Sequence, residues 1–366
     1  MKMREKLNWF HIAILIYAIE LDVLLFVLPR ISAENLGTNG WIGLLLLSGA
    51  ALFNVFMISL VFRLGKGASV FDIMEASLPR ALLYPLYLVL AGFWLFVGSL
   101  VGKNYILIYQ MISFPTTDPM MLFLLFCFML YFLLAKGIYG ISKSTTMIFF
   151  LTAWMPLLNL YFFGEWKAVR MTPYIFQGAV AIEGGLHKWA ELFTVFVGYE
   201  LCMFLFPFVE KDGKWLRGVY IGHLFATGVY LLVLVTAYGF FSLQQLQLLK
   251  YPIINLLAYI ELPFINRIEN ITFTFFLFTN LASAVMFCFA SVQALRRVIP
   301  HARPKLLEFI VVCLAYGIAF LPNILRKSEL WLRNAYFIEI GLSFAAPVFL
   351  LLLLWWQRHR ERRLHS

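Results

Sequence analysis

Four ionisable side chains sit where so apolar a chain should hold none. Glu20 and Asp22 lie near the middle of one hydrophobic run, Glu200 near the middle of another, and Lys103 deep in a third, beside Asn104. A charge at the bilayer centre costs at least about 2.5–3.5 kcal/mol on insertion scales, so such residues ordinarily face a cavity or a partner. Two compatible readings follow. Lys103 neutralises one carboxylate in a buried ion pair, or the polar groups line a site for a ligand or ion. A regular helix turns about 100° per residue, which points Glu20 and Asp22 about 200° apart. Either one is protonated or turned away, or the helix is unwound there. Unwound backbone that lines a cavity also offers its own polar groups to a ligand. Phe26, Tyr199 and Phe204 are aromatic neighbours able to pack a ligand, a lipid or another helix. Glu191, near a span end, needs no buried role, and Glu339 is open to either reading.

Other chemistry is missing from the sequence. There is no P-loop, no G-x-S-x-G, no H-E-x-x-H and no dinucleotide fingerprint, so no enzyme is expected. The histidines form no i, i+4 pair, and neither a metal nor a cofactor is expected. Cys127, Cys202, Cys288 and Cys313 lie in apolar runs without a C-x-x-C spacing and read as small buried residues.

These residues are carried by membrane helices. The chain is 62% hydrophobic and 13% charged, against about 45–50% and about 25% in soluble domains. Apolar runs near the roughly 20 residues a spanning helix needs fall at about 9–29, 41–62, 82–112, 120–135, 144–163, 189–208, 218–241, 268–295, 306–325 and 335–356. The first reads as a retained helix, not a removable signal; the third is long and the fourth short. With the N-terminus inside, inner segments carry 19 Lys and Arg and outer segments 9. That bias places both ends in the cytoplasm. It also accounts for the net charge of +10 without nucleic acid as a partner. The clusters Arg296–Lys305 and Arg358–Arg363 read as orientation signals more readily than as lipid sites. Trp9, Trp41, Trp166, Trp189, Trp215, Trp331, Trp355 and Trp356 lie at span ends, as an interfacial belt would place them. The long outer connections, 164–188 and 242–267, are apolar enough to lie on the outer face as short helices.

Ten spans divide into five plus five, and an odd half enters the membrane inverted, as in inverted-repeat transporters. The chain then reads as one all-α polytopic membrane domain over 1–366, with repeats at about 9–163 and 189–356. A faint echo supports this: Glu20-Leu21 precedes Pro29 in span one, and Glu200-Leu201 precedes Pro207 in span six.

Three stretches carry a resemblance. The first is Leu28-Pro29-Arg30, followed by Gly37-Thr38-Asn39-Gly40-Trp41. The second is Gly198-Tyr199-Glu200 leading into an apolar run to Pro207. The third is Tyr251-Pro252, then Glu261 and Arg267-Ile268-Glu269. In order and spacing these resemble the B-subunit family of bacterial spore germinant receptors, within the amino acid–polyamine–organocation transporter superfamily. The resemblance implies a LeuT-like fold of about ten helices. It implies a small-molecule pocket between broken spans one and six and flanking spans three and eight. It also implies A and C receptor subunits as partners, and the inner membrane of the spore as location. Candidate ligand-binding residues are therefore Glu20, Asp22, Leu24, Phe26, Lys103, Tyr199, Glu200 and Phe204. Family members commonly carry Gly-x-Gly in unwound span one, where this chain has Asp22 and Leu24. Ionised carboxylates there would repel a free amino acid's carboxylate and favour a cationic or neutral ligand. Three functions fit: a subunit sensing a nutrient germinant, a secondary transporter of amino acids or organic cations, or a structural subunit with a vestigial pocket.

Overall fold

The computed structural model describes residues 6–172, 174–182, 184–261 and 267–364, with side chains placed as far as residue 360. Lys2, Arg4, Arg362 and Arg363 of the charge count, and the stretch 262–266 within the third family-like segment, lie outside what is described. No strand occurs among the described residues.

The first span is broken. Helix α1 (Trp9–Glu20) stops at Leu21, and Asp22 begins a short 3-10 turn, Val23–Phe26, before α2 (Leu28–Asn35) resumes the path. The cause is local: Asp22 Oδ1 accepts the Leu24 N–H at 2.8 Å, and a carboxylate bonding to backbone two residues on competes with helical bonding. Pro29 in the first turn of α2 needs no N–H partner there.

Next come α3 (Gly40–Leu64), a surface helix α4 (Val70–Glu75), α5 (Arg80–Ser113), α6 (Pro119–Leu134) and α7 (Gly137–Thr152), which continues as a 3-10 stretch, Met155–Gly164. The sixth span is also broken. Helix α8 (Leu186–Phe193) and the turn Thr194–Phe196 meet a 3-10 segment, Tyr199–Phe208, at a bend of 43°. Then follow α9 (Trp215–Phe240), short α10 (Leu243–Leu248) and α11 (Pro252–Ala258), α12 (Ile268–Val298), α13 (Pro304–Ile318) and α14 (Leu325–Leu364).

Six helices among the described residues are long and apolar enough to cross a bilayer, and the bent sixth span makes a seventh. Broken span one, α6 and α13 are the shorter apolar members that complete ten. The 34-residue α5 is about 51 Å long at about 1.5 Å per residue, well over a hydrocarbon layer of about 30 Å. Boundaries shift in places. The fifth span opens at Gly137, the ninth closes at Ile318, and α14 begins at Leu325 rather than near 335. Residues 242–267 hold two short helices, as expected. Residues 164–188 are mostly irregular, with one short 3-10 turn at Ala168–Arg170 before α8 opens at Leu186.

Lipid tails are as apolar as leucine, so close approach and hydrogen bonds hold such a bundle together. Gly218 and Gly222, four apart on α9, supply the approach: a Cβ on either would strike the Trp9 or Ala13 carbonyl of α1. At Gly98 on α5 a Cβ would lie 3.1 Å from the Ala284 carbonyl of α12. Helix α12 is the innermost, with 83% of its apolar window buried, against α5, α1, α7 and α6. Phe53, Phe128, Phe150 and Leu352 turn outward, as lipid contact requires. Two expectations fail. Cys313 is exposed, unlike the other three cysteines. Trp215 is buried between Phe62 and Phe206, at centroid distances of 5.1 and 5.8 Å, not in an interfacial belt.

Leu7 and Arg358, near the ends of the described chain, lie on one face. Leu7 N–H bonds to Phe208 O, and Arg358 reaches Leu64 O. The connections carrying α10 and α11 lie on the opposite face, called outer below.

Candidate functional site

The two breaks face each other, and side chains from other spans satisfy their freed backbone groups. Ser283 of α12 donates to Ile19 O at 2.5 Å. Tyr230 of α9 donates to Glu20 O, and its hydroxyl also lies 2.9 Å from Val195 O at the break of span six. Gly198 holds φ at +122°, a conformation that glycine alone adopts readily. Its N–H donates to both Glu200 carboxylate oxygens at 2.9 Å.

The carboxylates diverge from these breaks. Glu20, fully buried, accepts from His223 Nδ1 at 3.0 Å. His223 Nε2 bonds Ser48 Oγ, which bonds Thr227 Oγ1, both at 2.9 Å. Asp22 turns the other way and accepts from the Tyr336 hydroxyl of α14 at 2.5 Å. The two carboxylates thus share no pocket, although the helix is unwound between them at Leu21 and Asp22.

Beside the break of span one lies a cavity of about 420 Å³, on the outer side. Leu24 and Val27 form one wall, Asn104 and Ile108 of α5 a second, and Leu332, Arg333 and Tyr336 of α14 a third. Arg30, Arg326, Glu191, Glu329 and Tyr251 complete it toward the outer face. Several of these charges are partly engaged. Arg333 lies 3.2 Å from Glu191, which also accepts from Asn35 at 2.8 Å. Glu329 pairs with Lys250 at 3.1 Å and accepts from Tyr251. Burial first, then the Glu329 carboxylate, push the Tyr251 phenol well above its ordinary value, so it stays a neutral donor. Arg30 Nε pairs with Glu34 at 3.2 Å, whereas Asn104 Oδ1 and Arg333 Nε are buried atoms without a hydrogen-bond partner among the described residues. Arg326 makes no ion pair there either.

The match to known proteins now bears on this architecture. The family model described as "Spore germination protein" matches residues 6–327. The chain belongs to the spore germination protein family. Among its relatives, spore germination protein GerQB of Bacillus cereus is 21% identical over 90% of both chains. Spore germination protein B2 of Bacillus subtilis (strain 168) is 23% identical over 73% of both chains. Spore germination protein A2 of the same strain is 22% identical over 80% of both chains. A solved structure, the nucleobase-cation-symport-1 family transporter Mhp1 in a closed conformation with bromovinylhydantoin bound, superposes with a TM-score of 0.64 at 11% identity. That alignment covers 96% of this chain and 75% of Mhp1. The fold of this germination protein is therefore the LeuT-like five-plus-five transporter fold. Family and fold neighbour are of permease type.

Of the eight candidate residues, only Leu24 lines the outer cavity directly, and Asp22 reaches it through Tyr336. Phe26 instead stacks on Phe273 of α12 at 4.3 Å. Lys103 departs furthest from its expected role. It pairs with neither Glu20 nor Asp22; its ammonium lies 2.9 Å from Met120 Sδ of α6, while neighbouring Asn104 faces the cavity. Tyr199 accepts from Asn54 at 2.8 Å and packs near His223. Glu200 and Phe204 border a second cavity, nearer the chain ends. Glu191, expected to need no buried role, is half-buried at the cavity and pairs with Arg333. His223, Tyr230, Tyr336 and Ser283 went unrecognised. A histidine inside a span was a visible signal; the tyrosines and serine gave none.

Proposed function

We propose that this germination protein is a membrane sensor subunit that binds a small germinant in the outer cavity and passes its occupancy to the broken spans. The carrying observation is the cavity itself. It joins the unwound turn of span one to α5 and α14, and among the described residues it contains Asn104 Oδ1 and Arg333 Nε without hydrogen-bond partners. Glu20 and Asp22 do not line this cavity: Glu20 turns to His223, and Asp22 reaches it only through Tyr336. Arg30, Arg326 and Arg333 against Glu191 and Glu329 suit a zwitterion such as an amino acid, with its carboxylate on the arginines. This replaces the cationic or neutral ligand expected from sequence. The reading includes companion A and C receptor subunits and the spore inner membrane, as the family resemblance implies, and the lysine and arginine bias supports cytoplasmic ends.

A ligand panel scored on spores carrying this receptor alone tests the reading: zwitterionic amino acids should trigger germination, and their decarboxylated amines should not. Failure of every zwitterion would overturn the ligand class.

The transporter fold favours a second reading, secondary transport. Counterflow uptake of the active zwitterion by the isolated chain in liposomes would establish it.

A further inference from the structure

The second cavity holds the least explained chemistry in the molecule. It measures about 370 Å³ and is bounded by α4, α5, α14 and the 3-10 segment of span six. Its lining is apolar except for Ser343 and two glutamates, Glu200 and Glu339, each 2% exposed. Both carboxyl groups border this one cavity. Two ionised carboxylates cannot hydrogen-bond each other, since each only accepts. Glu200 already accepts twice from Gly198. Glu339 Oε1 accepts from Trp94 at 3.3 Å, while its buried Oε2 has no donor among the described residues.

Among the described residues no cation pairs with either carboxyl group. On α4, Asp72 and Glu75 are held by Arg297 at 2.7 and 3.5 Å. On α9, His223 is committed to Glu20. The remaining titratable neighbours are phenols and a thiol, none of them a cation: Tyr87 of α5, which packs on the cavity residue Phe71, Tyr199 and Cys202 of span six, and Tyr336 of α14. One proton between the carboxyls supplies the missing donor and removes one of two unbalanced buried charges.

We propose that Glu200 and Glu339 form a proton-binding site coupled through α14 to the outer cavity. One carboxylate takes a proton from water and becomes the donor to the other; releasing it leaves two facing carboxylates that repel. Tyr336 and Glu339 lie three residues apart on α14, hence on one face. Tyr336 lines the outer cavity and Glu339 the inner one. Glu200 sits at the break of span six. Repulsion between the carboxylates therefore displaces the helix that carries the outer wall.

The pair itself does not depend on the sensing proposal; only the meaning of the coupled outer cavity does. The test uses the full chain in lipid nanodiscs, without ligand. Infrared difference spectra are recorded between about pH 5 and about pH 9, where an unperturbed carboxylic acid is already largely or wholly ionised. Backbone hydrogen exchange over 325–336 is followed in parallel. The wild type should show a protonated-carboxyl carbonyl band that Glu200→Gln and Glu339→Gln each remove and Glu339→Asp restores. Exchange over 325–336 should rise severalfold at the higher pH in the wild type and stay flat in both glutamine variants. A band unchanged in folded glutamine variants, or missing from the wild type, overturns the proton site. Exchange with the same pH dependence in wild type and variants overturns the coupling. Either failure leaves the sensing proposal standing, since germination is not the readout.

Discussion

At the residue scale, the molecule meets a membrane protein's problem with charge by giving each buried carboxylate its own donor. Glu20 has His223, Asp22 has Tyr336 and Glu200 has the Gly198 N–H. Removing one partner of a buried pair costs about 3–5 kcal/mol, because the survivor is left unpaired. His223→Leu should therefore prevent accumulation of folded protein, whereas His223→Gln, which keeps a donor, should be recovered by detergent size-exclusion. Equal yields of the two would refute the pairing. Tyr336→Phe removes one hydrogen bond to a carboxylate and should lower stability by about 1.5–3 kcal/mol, read as a drop in Tm of purified protein. The carboxylates were legible in the sequence because they interrupt apolar runs. Their partners were not: His223 is 203 positions from Glu20, and Tyr336 is 314 from Asp22. A single sequence carries no signal linking such positions. The expected Lys103 pair shows the consequence. Opposite charges in one membrane invite pairing, yet Lys103 lies on the α6 side of α5.

At the element scale, the two breaks and the close α1–α9 crossing do the positioning. At Gly198 a Cβ would lie 2.5 Å from Ile19 Cγ2, and φ is +122°. Gly198→Ala combines a clash with a strained backbone worth about 1–3 kcal/mol, and should reduce thermal stability and germination together. Gly222→Val should separate α9 from α1 and disrupt the Glu20–His223 pair, with a yield loss comparable to His223→Leu. A stable, responsive Gly222→Val protein would contradict the close approach. The four-residue spacing of Gly218 and Gly222 is visible in the sequence and marks a close helix crossing; periodicity alone did not say which helix it meets. Unwinding of span one was one of the alternatives left open by the angle between Glu20 and Asp22, and the family resemblance implied it. Helix ends were less legible. Leu325–Lys327 and Gly137–Lys143 are polar enough to resemble loops, yet they extend helices beyond the apolar layer.

At the scale of the whole molecule, ten spans, the two broken helices and the family were legible, since hydropathy and charge bias are summed over long windows. The division of the polar residues between two cavities was not. It depends on rotation of each helix about its axis, which short apolar runs leave undetermined. Orientation is testable by labelling. A cysteine replacing exposed Leu248 on α10 should react with a membrane-impermeant thiol reagent from outside, and one replacing Lys66 only after permeabilisation. The reverse pattern would invert the topology and remove the outer cavity from nutrient access.

The claim that matters most is that the cavity beside Leu24 receives the germinant. Its most direct test is the germination dose–response of spores holding Leu24→Trp or Arg333→Gln as their sole receptor, with receptor level matched to wild type. A tryptophan at position 24 fills the cavity from the broken turn and should abolish the response. The arginine substitution should shift it to at least about tenfold higher germinant, the factor that about 1.4 kcal/mol of lost binding produces. Curves that superpose on wild type for both variants would contradict the account.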